Sequence, residues 1–133
     1  MTAAIGNVLR DIESQSTREY LPIMGPEKCA YVERLVAERQ PCTVVEIGVL
    51  VGYVTVRVAR NLGTACKIIG VEIGEDLAKR AEANVALAGL SDKAEIVRGD
   101  ATEKIGELRA PVDMLILDAD RAGYLHYVKR IEP

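Results

Sequence analysis

A chain of 133 residues, 49% hydrophobic and 28% charged, has room for one globular domain with a real core and little beyond it. Its formal charge of −3 offers no basic field to nucleic acid, and five Tyr are its only aromatics, so base-stacking platforms are scarce. The most apolar window, residues 43–62, carries Glu46 and Arg57, which argues against a membrane span.

The N-terminal stretch lacks the basic-then-apolar order of a signal peptide. Residues 2–13 place Ile5, Val8, Leu9 and Ile12 on one helical face. REYLPIMGP then breaks regular structure, and Pro26 opens a second helix with Cys29, Val32, Leu35 and Val36 at helical spacing. At QPCTVVEIG the period changes, and Thr43 to Ile47 predicts a buried strand between Pro41 and Gly48. Residues 53–62 alternate like a strand through Val54, Val56 and Val58. They also fit a helix through Tyr53, Val54, Val58 and Leu62, and the glycine loop before them favours the helix.

KIIGVE predicts the second strand. GEDLAKRAEANVALAGL predicts a helix striped by Leu77, Ala81, Val85 and Ala88 and closed by Gly89. AEIVRGD, ATEKIGEL and VDMLILD read as strand, short helix and strand. RAGYLHYVKRIE reads as a last helix with Tyr124, Leu125, Val128 and Ile131 inward. This alternation predicts an α/β fold, a parallel sheet with helices on both faces. It is one domain over residues 1–133, a helical segment 1–40 ahead of a cofactor-binding core 41–133. Cys29, Cys42 and Cys66 are odd in number and form no CxxC pair, which predicts reduced, buried thiols in a cytoplasmic protein.

All four predicted strands end on polar or glycine residues: Glu46-Ile47-Gly48, Glu72, Gly99-Asp100 and Asp118. Ligands of parallel sheets bind at those carboxyl ends. Singly, each residue has an ordinary use, since Glu72 can cap a helix starting near Gly74 and Asp100 one starting at Ala101. Four at once point to a nucleotide-like ligand, with Glu72 accepting from ribose hydroxyls. The loop GVLVG has Leu50 where GxGxxG has its central glycine, which disfavours the diphosphate of a nicotinamide cofactor. A smaller ligand with an amino-acid tail suits it better. S-adenosylmethionine is one, and Glu46 would help receive its ammonium through water or backbone.

The stretches REYLPIMGPEKCAYVERL, VVEIGVLVGYV, IIGVEIGEDLAKRAEANVALAGL, AEIVRGDA and VDMLILDADRAGYLHYVKR, in that order, resemble the class I S-adenosylmethionine-dependent methyltransferases. More narrowly, residues 17–133 resemble the cation-dependent O-methyltransferases of the catechol and caffeoyl-CoA type. The resemblance implies a Rossmann-like sheet of order 3-2-1-4. Gly48 and Gly52 would wrap the methionine end and Glu72 would hold the ribose. Asp100 and Ala101 would lie against the adenine, and Met24 and Tyr53 would wall the pocket. Asp118 would sit near the amino-acid group and serve as the first metal ligand, the metal being magnesium.

The chain also departs from that family. Arg121 stands where the family has a lysine base; arginine stays protonated, so it stabilises an oxyanion and removes no proton. His126 is a weak substitute base, a lone histidine on a terminal helix. Val51 and Val54 replace hydroxyl residues of the glycine loop. RIEP falls where the family enters a Pro-Gly-Gly turn and a fifth strand bearing an Asp-Asn metal pair, so the C-terminal part of the fold is expected to be missing. The expected function is S-adenosylmethionine-dependent O-methyl transfer to a small-molecule acceptor. The alternatives are a non-catalytic binding or assembly subunit of the same fold and, third, a nicotinamide-binding domain. VDMLILD would form an unblunted sheet edge, which predicts a homodimer.

Overall fold

The computed structural model describes residues 2–19, 21–109, 111–118 and 129. Nine elements follow in order: α1 (Thr2–Glu19), α2 (Pro26–Arg39), β1 (Thr43–Ile47), α3 (Tyr53–Ala59), β2 (Lys67–Glu72), α4 (Glu75–Leu87), β3 (Ala94–Arg98), α5 (Ala101–Ile105) and β4 (Met114–Leu117). The sheet order is β3-β2-β1-β4, with every neighbouring pair parallel, so the predicted order holds. The order reverses between β1 and β4, and that switch point opens a crevice at the strands' carboxyl ends. Of the predicted terminal helix only Lys129, which is helical, is among the described residues; Tyr124, Leu125, Val128 and Ile131 lie outside them, as do Arg121 and His126.

Strand alternation divides the core. Val44, Ile68 and Ile116 face one cluster, which α1, α2, α3 and α4 cover; Val45, Ile47 and Val71 face a second, which α5 covers among the described residues. By the same parity Glu46, Glu72 and Asp118 share the first face. Register sets Glu46 opposite Gly70 on one side and Ile116 on the other. A Cβ on Gly70 would stand 2.6 Å from Val49 Cγ2, so only glycine lets Val49 lie over the sheet there.

All seven residues of α3 are buried. A helix enclosed on every side shows no amphipathic stripe, which is why residues 53–62 fit two periods equally. α1 runs past its apolar stripe to Glu19, further than the expected residue 13. Its polar extension is held from α4, where Arg80 donates to Gln15 at 3.0 Å and to Glu19 at 3.2 and 3.3 Å. Helix α4 closes as the sequence predicts: Gly89 takes φ 73°, and the Leu90 N–H reaches back to the Val85 carbonyl at 3.1 Å.

The cysteine expectation is corrected. Cys42 and Cys66 form a disulfide between the starts of β1 and β2, and only Cys29 is a free, buried thiol. The parallel register, with Thr43 opposite Lys67, brings the two residues together, and linear spacing carries no trace of it. The pairing removes the support that unpaired thiols lent to a cytoplasmic location. Burial pushes the Cys29 thiol up to about 11, so it stays protonated and inert.

Candidate cofactor site

Every strand sends its carboxyl end to one cavity of about 480 Å³. β1 contributes Ile47, Gly48 and Leu50; β2 contributes Val71, Glu72 and Ile73; β3 contributes Gly99, Asp100, Ala101 and Thr102; β4 contributes Asp118. Of the predicted site residues, Gly48, Glu72, Asp100, Ala101 and Asp118 therefore meet in it. Its size lies within the range of small-molecule sites, roughly 300–1,000 Å³. Apolar walls with a few carboxylates suit a flat, polar-edged ligand.

Glu72 is 5% exposed and already occupied in part. Its Oε1 accepts the Leu50 N–H at 2.8 Å and its Oε2 the Gly74 N–H at 2.9 Å. The first bond holds Leu50 in the left-handed region, φ 54°, and so shapes the glycine loop. The second is the helix-capping use that the sequence also allowed. Each oxygen keeps a lone pair for a ligand hydroxyl. Asp100 likewise caps α5, accepting the Thr102 N–H at 2.8 Å through Oδ1.

Met24, Glu46 and Tyr53 line a separate small cavity, together with Gly48 and Asp118. Glu46 is wholly buried. The Thr55 hydroxyl donates to its Oε1, while Oε2 has no hydrogen-bond partner among the described residues. Burial chiefly, with the nearby negative charges of Asp118 and Glu72, pushes the Glu46 carboxyl up to about 8; the Thr55 bond opposes the rise. Glu46 is thus a neutral acid at pH 7, with an unused donor or acceptor beside the cofactor cavity. An orphaned buried atom there fits a ligand with a polar end. The Tyr53 hydroxyl is bonded within the protein: it donates to Glu13 of α1 and accepts from Arg57 at 3.1 Å.

Gly52 lines neither of these two cavities. It is buried at the N-cap of α3 with φ 92°, and a Cβ there would meet Ala81 of α4 at 3.4 Å. Its role is close helix packing in a left-handed conformation. Sequence reasoning missed Leu50, Ile73 and Thr102. Ile73 is 73% exposed at the cavity although it is a large aliphatic. The available signal was an isoleucine directly after a strand-ending acid, where no strand or helix period requires it.

Asp118 continues the sheet ladder, its N–H bonding the Ile47 carbonyl at 2.9 Å. Burial raises its pKa, and the Lys28 ammonium opposes that rise. It lines the cofactor cavity, the small one, and a third of about 560 Å³ bounded by residues 22–28. Among the described residues, no three His, Cys, Asp or Glu side chains come together as a metal cage. No helix among them is long and apolar enough to cross a membrane.

Comparisons with known proteins agree with this geometry. The O-methyltransferase family profile matches residues 2–132, so α1 belongs to the family unit ahead of residue 17, where the motif resemblance starts. The chain is 32% identical to catechol O-methyltransferase B of Danio rerio over 120 residues, 86% of this chain and 46% of that protein. It is 35% identical to the transmembrane O-methyltransferase homolog of Mus musculus over 125 residues, 90% of this chain and 48% of that one. The chain thus spans about half the length of the curated relatives it matches. The O-methyltransferase from Bacillus cereus, solved in complex with SAH (S-adenosylhomocysteine), superposes with TM-score 0.85 at 25% identity, covering 96% of this chain and 62% of that one. With its sheet order, its strand-end cavity and a profile match over almost its whole length, this chain belongs to the O-methyltransferase family.

Proposed function

We propose that the chain binds S-adenosylmethionine in the strand-end cavity, and that the protein it represents transfers a methyl group to an oxygen of a small-molecule acceptor. The observation that carries this is the meeting of all four strand ends at one cavity, with Asp118 shared by a second. Bound S-adenosylmethionine would supply a methyl group on a positively charged sulfur. Glu72 would take the ribose hydroxyls on its free lone pairs, and Asp100 and Ala101 would border the adenine. Gly48 would give the methionine end close approach to the backbone. Neutral Glu46 would lie beside the amino-acid end, and Asp118 would orient that end from between the cofactor and acceptor cavities. Arg121 would steady negative charge on the acceptor oxygen. The protein's contribution is chiefly position and charge.

A divalent cation fits this reading with Asp118 as one oxygen ligand. Its other ligands would come from substrate, water or residues beyond the described set. We also read the protein as self-associating. The rival reading is a non-catalytic binding subunit of the same fold.

Calorimetry with S-adenosylhomocysteine and with NAD tests the first step. The former should bind more tightly, and preference for NAD sinks the proposal. Glu72→Ala should weaken nucleoside binding by roughly 1–3 kcal/mol, because ribose hydroxyls lose a charged acceptor and the glycine loop loses its tether.

A further inference from the structure

At the amino ends of β1 and β2, away from the cofactor site, lies a further cavity of about 460 Å³. Val36, Ala37 and Pro41 give it apolar walls, Gln40 and Asn61 bring amides to it, and no charged side chain lines it. Cys66 is part of its lining and Cys42 is not. Cys42 is exposed, so the Cys42–Cys66 disulfide lies at the surface.

The two half-cystines are held differently. Cys42 is fixed through its backbone: its N–H donates to Asp113 at 3.0 Å, and its carbonyl accepts the Lys67 N–H at 2.8 Å. Cys66 ends a turn, its N–H bonding the Gly63 carbonyl at 3.2 Å, and Ala65 just before it takes φ 66°. That third place of a turn ordinarily falls to glycine, because a Cβ is strained in the left-handed region.

We propose that Cys66 is a modification site, at which a small, peptide-like thiol opens the disulfide and is carried as a mixed disulfide. A thiol seated in the cavity meets Cys66 first, with Cys42 as the leaving sulfur. Apolar walls and uncharged amides suit the amide groups of a short peptide. The incoming thiol loses its proton and its sulfur bonds to Cys66 Sγ as the Sγ–Sγ bond breaks. The electron pair of that bond leaves on Cys42, which takes up a proton, so one disulfide is exchanged for another. The Cys42 thiol then stands beside the Ala65 carbonyl, 3.9 Å away in the closed form. Opening relaxes Ala65 and frees Cys66 to move, while the ladder keeps Cys42 in the sheet. Without the cross-link, the unfolded chain around β1, the glycine loop and α3 gains freedom, so the modified protein melts at a lower temperature.

The test treats the air-oxidised full chain with reduced glutathione, quenches it in acid, alkylates free thiols and maps both by mass spectrometry. A glutathione adduct should appear on Cys66 with Cys42 free to alkylate, and the wholly buried Cys29 should carry none. Ala37→Trp, which fills the cavity, should slow the reaction with glutathione about tenfold more than that with 2-mercaptoethanol, a thiol too small to need the cavity. Ala65→Gly removes the strain of the turn and should lower the opened fraction at equilibrium by about tenfold. Circular dichroism checks that both variants fold. An adduct formed first on Cys42, equal slowing of the two thiols in Ala37→Trp, or an unchanged opened fraction in Ala65→Gly overturns the proposal. So does a chain whose Cys42 and Cys66 both alkylate before any thiol is added.

Discussion

The opening acid of the glycine loop shows how one residue couples fold and site. Glu46 sits in a strand position where Val or Ile would pack without cost, and it keeps its proton to be tolerated. Folded, it releases that proton near pH 8; unfolded, near 4.5. Between those values the native state holds a proton that the unfolded chain has lost. Stability therefore falls as pH rises from 4.5 toward 8. Glu46→Gln copies the neutral acid and removes the titration. Thermal melts should show the variant equal to the wild type at pH 4 and more stable at pH 8, by roughly 4 kcal/mol. Equal pH dependence in the two proteins would mean that Glu46 ionises normally.

At the scale of elements, β4 is joined to β1 at two points beyond the ladder itself. Asp118 continues the pairing at one end, and Asp113 clasps the other, where its Oδ2 accepts the Cys42 N–H at 3.0 Å and the Thr43 N–H at 2.9 Å. Those two backbone donors hold the Asp113 carboxyl below its ordinary value of 3.8. The clasp is thus complete above pH 3.8 and is lost as pH falls through the lower native value. Asp113→Ala should lower the melting midpoint by a few degrees at pH 7, and the difference should vanish in strong acid. A constant difference across that range would assign the loss to something other than the carboxylate. The same strand start carries the Cys42–Cys66 disulfide, so the amino ends of β1, β2 and β4 are pinned on the side away from the ligand.

For the whole molecule, the outer side of β4 has no strand partner among the described residues. Met114, Leu115, Ile116 and Leu117 bring neither charge nor proline to blunt it. We expect two copies to associate along this side, by antiparallel pairing of two β4 strands or through the apolar surface beside them. Light scattering coupled to size exclusion should give a discrete dimer. A monomer that persists at high concentration is the result that refutes it.

The sequence by itself determined the strands, the parallel layout and most of the cofactor cavity. Buried parallel strands need β-branched runs, and their carboxyl ends reveal themselves by interrupting those runs with Glu72, Asp100 and Asp118. Its limits follow from what linear order omits. Periodicity cannot register a helix buried on all sides, so α3 was legible only from the loop before it. It also cannot see α1 beyond its apolar stripe, because Arg80 holds the extension from a distant helix. Only the tertiary structure decided that Cys42 meets Cys66, that Gly52 packs against Ala81, and that Lys28 and Asp118 line one cavity. Each depends on register or on the approach of two elements far apart in the chain, and no local spacing encodes that approach.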